Sequence, residues 1–241
     1  MINNNERGLF FIGLFVAVGL AICGYFVGQT LYNAKVALNT AEVKGLAERR
    51  VLADRANWSI GYTVKGANRS EIPNLYKQAE GQQQTILSLL KDNGFDDNEI
   101  AIGVLDYKYL EYRDENKKLV EQVHMLVGSI SVETQQVELV GKVRTAISKL
   151  IAQGINIENK APTYHFTKLN EIKPDMLREA TKNARIAANE FAENAGVKVG
   201  GIRDARQGGF NIRDAGDNYS DNKKIEKDIR VVTTITFYLT D

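Results

Sequence analysis

Three observations predict an α+β fold: period-two apolar alternation in stretches such as Trp58-Ser59-Ile60-Gly61-Tyr62-Thr63-Val64-Lys65, apolar spacing at the helical period in three later segments, and helices that fall between runs of adjacent strands. The expected architecture is antiparallel sheets with three helices packed mainly on one face, preceded by an N-terminal transmembrane helix.

The membrane helix comes first. Residues 8–34 contain no charge, and residues 8–28 are almost wholly apolar. At about 1.5 Å per residue that apolar run is about 30 Å long, the thickness of a bilayer's hydrocarbon core. Its exit, Gln29-Thr30-Leu31-Tyr32-Asn33-Ala34-Lys35, lacks the small-residue cleavage pattern of a secretory signal, so residues 1–34 read as a retained anchor. Lys35, Lys44, Arg49 and Arg50 follow the segment and outnumber the positive charge before it, but a folded domain translocates largely regardless of charge. The short tail is therefore read as cytoplasmic. This gives a single span in the inner membrane, with the folded domain in the periplasm or outside the cell. Ala17, Ala21, Gly24 and Gly28 recur at spacings of four, three and four. They suit a helix-to-helix contact through the Gly24/Gly28 pair, or simply the abundance of glycine in membrane helices.

The remaining elements follow in order. Residues 43–53 and 58–65 read as strands joined by a turn at Asp54-Arg55-Ala56-Asn57. Ser70 is placed to cap a helix whose apolar face is Ile72, Leu75, Ala79, Ile86 and Leu90, stopped by Asn93-Gly94. Residues 100–113 and 118–133 form a hairpin around Asp114-Glu115-Asn116. A second helix turns Val140, Val143, Ile147 and Ile151 to one face and ends at Gly154, and residues 161–168 are a short strand. Pro174 suits the first turn of a third helix with inner face Leu177, Ala180, Ala184, Ala187, Ala188, Phe191 and Ala195, terminated by Gly196. Residues 197–207, with a bulge at Gly200-Gly201, and 228–239 are the last strands, flanking a polar loop over 208–227. In residues 231–239, Val232 and Tyr238 oppose Val231, Ile235, Phe237 and Leu239, so both faces carry large side chains. The face of Val232 and Tyr238 is a candidate assembly surface.

Composition narrows the function. With Glu6, Arg7 and Lys35 set aside, residues 36–241 carry 29 basic and 29 acidic residues, a balance without an electrostatic footprint for nucleic acid. The one cysteine, Cys23, lies in the apolar segment, which leaves no disulfide or thiol chemistry for the exported part. Residues 35–241 suffice for one domain, or for two intimately packed halves at 41–133 and 134–241. His124 and His165 sit in strands without a neighbouring metal ligand and read as structural. Asp92, Asp96, Asp97 and Glu99, and likewise Asp214, Asp217 and Asp221, read as solvated turns and lack the calcium-loop pattern. Tyr107, Tyr109 and Tyr112 read as cross-strand packing. No catalytic residue, cofactor site or metal site is expected. The densest polar and aromatic stretch, Tyr164, His165, Thr167, Lys168 and Asn170, is the candidate ligand or partner surface.

Several motifs carry a family resemblance. Gly45, Ala47, Glu48, Val51, Ala53, Asp54, Ala56 and Trp58 resemble the opening strand motif of the SIMPL-domain family of bacterial envelope proteins, a G-x-A-E stretch leading to A-D-x-A-x-W. Residues 166–174, 179–185, 207–208 and 230–234 are similar to one uncharacterised branch of that family, so the likeness spans about residues 41–240. The resemblance implies an exported or membrane-anchored α+β protein, prone to self-assembly, without an established enzymatic activity and with no catalytic residues to carry over. Two functional expectations stand. One is a non-enzymatic envelope protein that forms a homo-oligomer or binds an envelope partner, in envelope maintenance or stress tolerance. The other is a periplasmic small-ligand binding protein or hydrolase with its site near residues 164–173.

Overall fold

A computed structural model describes residues 4–36, 39–217 and 219–240, with side chains from residue 10 onward in these ranges except at 35–36. Residues 1–3 of the expected anchor lie outside the described residues. Helix α1 (Asn4–Val36) contains a stretch, Phe10–Ala34, long and apolar enough to cross a membrane and with none of it buried. The rest of the chain is α+β with antiparallel sheets, as predicted, and brings the described helices to four. The chain as a whole, α1 included, divides into two compact units, each assembled from separate stretches of sequence. One comprises Met1–Glu48, Pro174–Phe210 and Arg230–Asp241, the other Arg49–Lys173 and Asn211–Ile229.

The larger unit is built on the pairing of β2 (Arg55–Gly66) with β5 (Leu119–Thr134), antiparallel from Ala56↔Thr134 to Gly66↔His124. β3 (Ile100–Ile102) and β4 (Asp106–Arg113) pair with β5 on its other side, and β6 (Ile157–Asn159) and β7 (Thr163–His165) pair with β2. Alternation along β2 sends Ala56, Trp58, Ile60, Tyr62 and Val64 into the core. There α2 (Ile72–Asp92) contributes Leu75, Ala79, Ile86 and Leu90, and α3 (Val137–Lys149) contributes Val140, Val143 and Ile147. The structure corrects several local expectations. Arg55, Ala56 and Asn57 already belong to β2, which leaves a tight turn at Ala53-Asp54. Ser70 lies in a short 3-10 turn and does not cap α2. Ile151 is 51% exposed, because the chain tightens into a 3-10 turn after Lys149 and Leu150 takes the inward position. The first hairpin strand is split, the expected strand over 161–168 shortens to β7, and β6 is an additional strand ahead of Pro162.

In the smaller unit, α4 (Leu169–Asn194) covers a sheet in which β10 (Glu226–Thr240) lies between β1 (Thr40–Leu52) and β8 (Lys198–Gln207). The buried row of α4 is Met176, Ala180, Ala184, Ala188 and Ala192. Ala187, Phe191 and Ala195, expected inside, are exposed, because one straight row at every fourth residue meets the sheet and they lie beside it. Pro174 stands within α4, since the helix starts at Leu169 rather than at the proline. A Cβ on Gly45 would stand 1.8 Å from the Ala180 carbonyl oxygen and 2.8 Å from the Ala184 Cβ, so only glycine fits this approach of β1 to α4. Asn183 donates to the Leu46 carbonyl at 2.7 Å, and the Arg185 guanidinium sits 5.1 Å over the Phe237 ring. The expected bulge in β8 is present, as register shifts on either side of Phe237↔Ile202. The polar loop after β8 is not uniformly irregular: β9 (Asn211–Asp214), in the larger unit, pairs with β10.

Ala184→Leu overpacks this interface and is expected to lower stability by about 1–3 kcal/mol, and Gly45→Ala by no less. Lys182→Ala, on the exposed side of α4, is the control in urea denaturation; equal midpoints for Ala184→Leu and Lys182→Ala would place Ala184 off the interface.

Candidate functional site

The five residues of the candidate surface share a stretch of chain without forming one constellation. β7 places Thr163, Tyr164 and His165 against Asn57, Ala56 and Arg55. Alternation turns Tyr164 inward, where burial pushes its phenol pKa up against the opposing pull of Arg144. His165 is half-buried, with Nε2 3.2 Å from the Thr163 hydroxyl. Thr167, Lys168 and Asn170 are exposed. Thr167 donates its N–H and its hydroxyl to the Asp54 carboxylate, each at 2.6 Å. Burial pushes the Asp54 carboxyl up, but the two bonds from Thr167 outweigh it and hold the pKa below the ordinary value. The Asp54 N–H meets the His165 carbonyl at 3.0 Å.

Asp54 is the residue that sequence reasoning left in a turn. The available signal was a short acceptor side chain at a strand-to-strand turn, a type that seeks backbone N–H groups. Its partner lies 113 positions away, beyond the reach of any local pattern. The geometry clamps the turn between β1 and β2 onto the segment after β7. The His165 ring turns its Nε2 to the Thr163 hydroxyl, 3.2 Å away.

A groove of about 490 Å³ opens beside this segment, with Asn57, Ser59, Ser131, Glu133, Lys160 and Thr163 among its walls. Asn57 and Ser59 come from β2, Ser131 and Glu133 from β5, Lys160 from just after β6 and Thr163 from β7, and Glu133 is already paired with Arg55 at 2.7 Å. Behind the groove's Trp58, the indole N–H donates to Asn159 Oδ1 at 3.1 Å, and Asn159 Nδ2 donates to the Arg144 carbonyl and the Ser148 hydroxyl. His124 is buried between Tyr107 and Tyr109, and its Nδ1 lies 2.7 Å from the Tyr107 hydroxyl. Two of the three tyrosines of the hairpin thus pack across strands, as their spacing suggested.

The acidic clusters divide. Glu99 accepts the Asp96 N–H at 3.0 Å and the Thr134 hydroxyl, and Asp97 pairs with Lys91, all around exposed turns. Asp214 is different and corrects its reading as a solvated turn. Its side chain is fully buried against the equally buried Lys227 ammonium, the Ser220 hydroxyl at 2.6 Å and the Lys223 N–H at 2.8 Å. Lys227 also donates to the Asp221 carbonyl at 2.8 Å. Desolvation pushes the Asp214 carboxyl up, yet the bonds from Lys227, Ser220 and the Lys223 N–H prevail and hold it far below the usual range.

The candidate assembly surface also changes character. Val231, Thr233, Ile235 and Phe237 are buried, and Leu239, expected with them, is half-buried. Val232 and Tyr238 are half-buried on the other face, and between them stand Thr234 and Thr236. With Glu42, Lys44, Asp204 and Arg206, these threonines line an open polar hollow of about 710 Å³. The middle of that face suits water, so its apolar ends do not form one patch. On α1, Ala17, Ala21, Gly24 and Gly28 are all exposed, and the two glycines share a shallow groove with Tyr25, Gln29 and Tyr32.

Lys227→Met strips a buried carboxylate of its cation and is expected to cost about 3–5 kcal/mol, whereas Lys227→Met with Asp214→Leu costs less. Asp214, Asp54 and Asp228, the last held low by Arg50, bind fewer protons folded than unfolded. Their contribution is complete above about pH 4 and is lost as the pH falls through their lowered values. Urea midpoints measured against pH should therefore drop on the acid side, with a shallower drop in the double variant; identical acid limbs would remove Asp214 from the effect.

Comparison with known proteins gives one positive finding. The model of the SIMPL family, described as a protein of unknown function, matches residues 41–237. No curated protein matches the chain.

Proposed function

Since the chain belongs to the SIMPL family, we propose that it is a non-enzymatic envelope protein, anchored in the inner membrane by α1, whose folded part works by assembling with its own copies or by binding an envelope partner. That part faces the periplasm or the outside of the cell, in a role of envelope maintenance or stress tolerance. The observation that carries this reading is α1 itself. A 25-residue span with a mean hydropathy of 2.4, none of it buried by the protein, suits an apolar surrounding, and the family-matched region begins only a few residues beyond it. Supporting a non-catalytic role, Tyr164 and His165 belong to the pairing of β7 with β2 and Thr167 is held in the Asp54 clamp, while Lys168 and Asn170 stand exposed. A hydrolase would instead need a base, its orienting group and a nucleophile within mutual reach.

Mass spectrometry of the native protein should find residues 1–34 retained, and the chain should stay with membranes after a salt wash. A mature chain beginning near residue 34 and recovered in the soluble fraction would make α1 a removed signal. The full chain in detergent should sediment well above the mass of one chain at micromolar concentration, or carry a bound partner when isolated from its own envelope. A monomer without a partner would favour the ligand-binding alternative.

A further inference from the structure

We propose that β4 is an assembly edge, at which two copies of this chain join β4 to β4, antiparallel, about a two-fold axis at Leu110. The inference rests on the reading that the folded part assembles, and it supplies the surface. β4 pairs with β5 on one side, and no other strand of the described residues pairs with it. All of its residues, Asp106–Arg113, are exposed. Edge strands are commonly blunted by proline, by bulges, by a covering element or by charged side chains, and of these β4 carries the charges, Asp106, Lys108, Glu111 and Arg113. β4 has no proline, and its register with β5 is regular from Asp106 to Tyr112. Its apolar side chains stand in the open: Tyr107 is 45% exposed, Tyr109 42%, Leu110 42% and Tyr112 52%. Leu110 and Tyr112 continue across the sheet into Val123 and Met125, and the four line an open groove of about 540 Å³.

Symmetry restricts how such an edge can meet its copy. A two-fold axis normal to a sheet keeps each side chain on its own face, so the only allowed registers set one residue of β4 opposite itself. Centring on Lys108 or Glu111 puts like charges face to face, which is destabilising. Centring on Tyr109 sets the Lys108 ammonium against Leu110. Centring on Leu110 sets Leu110 against Leu110, Lys108 against Tyr112, Arg113 against Tyr107, and Glu111 against Tyr109. Along residues 107–113 every cation then meets an aromatic ring, and the Glu111 carboxylate, already bonded to Tyr109 and Arg113 of its own strand, meets a phenol of the copy, while Asp106 falls opposite Asp114 just past the end of β4. The same register joins the Leu110, Tyr112, Val123 and Met125 patches of the two copies into one. A formal charge of +1 on the whole chain opposes their approach only weakly. The complementarity of β4 with itself is what selects a second copy as the occupant over an unrelated strand.

Cysteine cross-linking of the full chain tests this register, in a Cys23→Ser background so that the native thiol takes no part. Leu110→Cys should give a disulfide-linked dimer under mild oxidation. Lys108→Cys should not, because its own copy lies four residues along the strand, about 13 Å away, beyond disulfide reach. An equimolar mixture of Lys108→Cys and Tyr112→Cys chains should give the mixed dimer, an independent reading if the Leu110 variant folds poorly. Neither link forming, or position 108 linking to itself as well as position 110 does, overturns the proposal. If the parent chain still sediments as an oligomer in that case, assembly stands and uses another surface. A parent chain that sediments as a monomer overturns both.

Discussion

The tightest constraint in the molecule is the contact between β1 and α4 at Gly45, where a single added carbon would enter the van der Waals space of a main-chain carbonyl. A helix can lie this close to a strand only if both surfaces are nearly bare. Gly45 supplies one, and the row Ala180, Ala184 and Ala188 supplies the other. The energetic gain comes from what that proximity closes over. Ile235 and Phe237 are driven to almost complete burial beneath Ala184 and Ala188, with Val43 and Val199 at the margin.

The residues that carry the family resemblance thereby acquire physical roles. Gly45 admits α4, Ala47 is buried, and Glu48 reaches Arg230 at 3.5 Å. Asp54 clamps Thr167, Ala56 is buried, and Trp58 is buried with its indole N–H satisfied by Asn159. Each of these contacts is one of packing, ion pairing or hydrogen bonding. The motif thus serves each unit separately, with Gly45 seating α4 on β1 in the smaller one and Asp54, Ala56 and Trp58 securing and filling the larger one.

What the sequence made legible follows the same physics. Periodicity located β1, β2, α2, α3, α4 and β10, because each buries one face and must repeat at its own period. It failed where burial was decided by a partner far away in the chain. Which alanines of α4 lie inside depends on where β1 and β10 meet the helix, far away in the sequence, so Ala187 and Phe191 are as suitable by spacing as Ala188 and Ala192. Pro174 drew the helix start toward itself, although the stretch from Leu169 already turns helically ahead of it. Lys227 and Asp214 read as loop charges because Lys and Asp are almost always solvated, and only the fold reveals that each is the other's reason for being buried. Of the candidate site, the placement of Tyr164 and His165 in a strand was readable, and the Asp54 clamp was not.

The nature of the exposed surface decides where the molecule has capacity left for association. Large side chains on both faces of β10 first suggested a sheet face awaiting cover. The structure divides that face, with Val232 and Tyr238 at its ends and Thr234, Thr236, Lys44 and Arg206 around a polar middle. Such a face is adequately served by water and gains little from being covered. An unpaired strand edge is different, because its N–H and C=O groups are oriented by the sheet they already belong to, so a further strand adds hydrogen bonds at little extra cost in backbone order. β4 has both that edge and apolar side chains above and below it. Unmet bonding capacity is therefore found at strand edges such as β4 rather than across the face of β10.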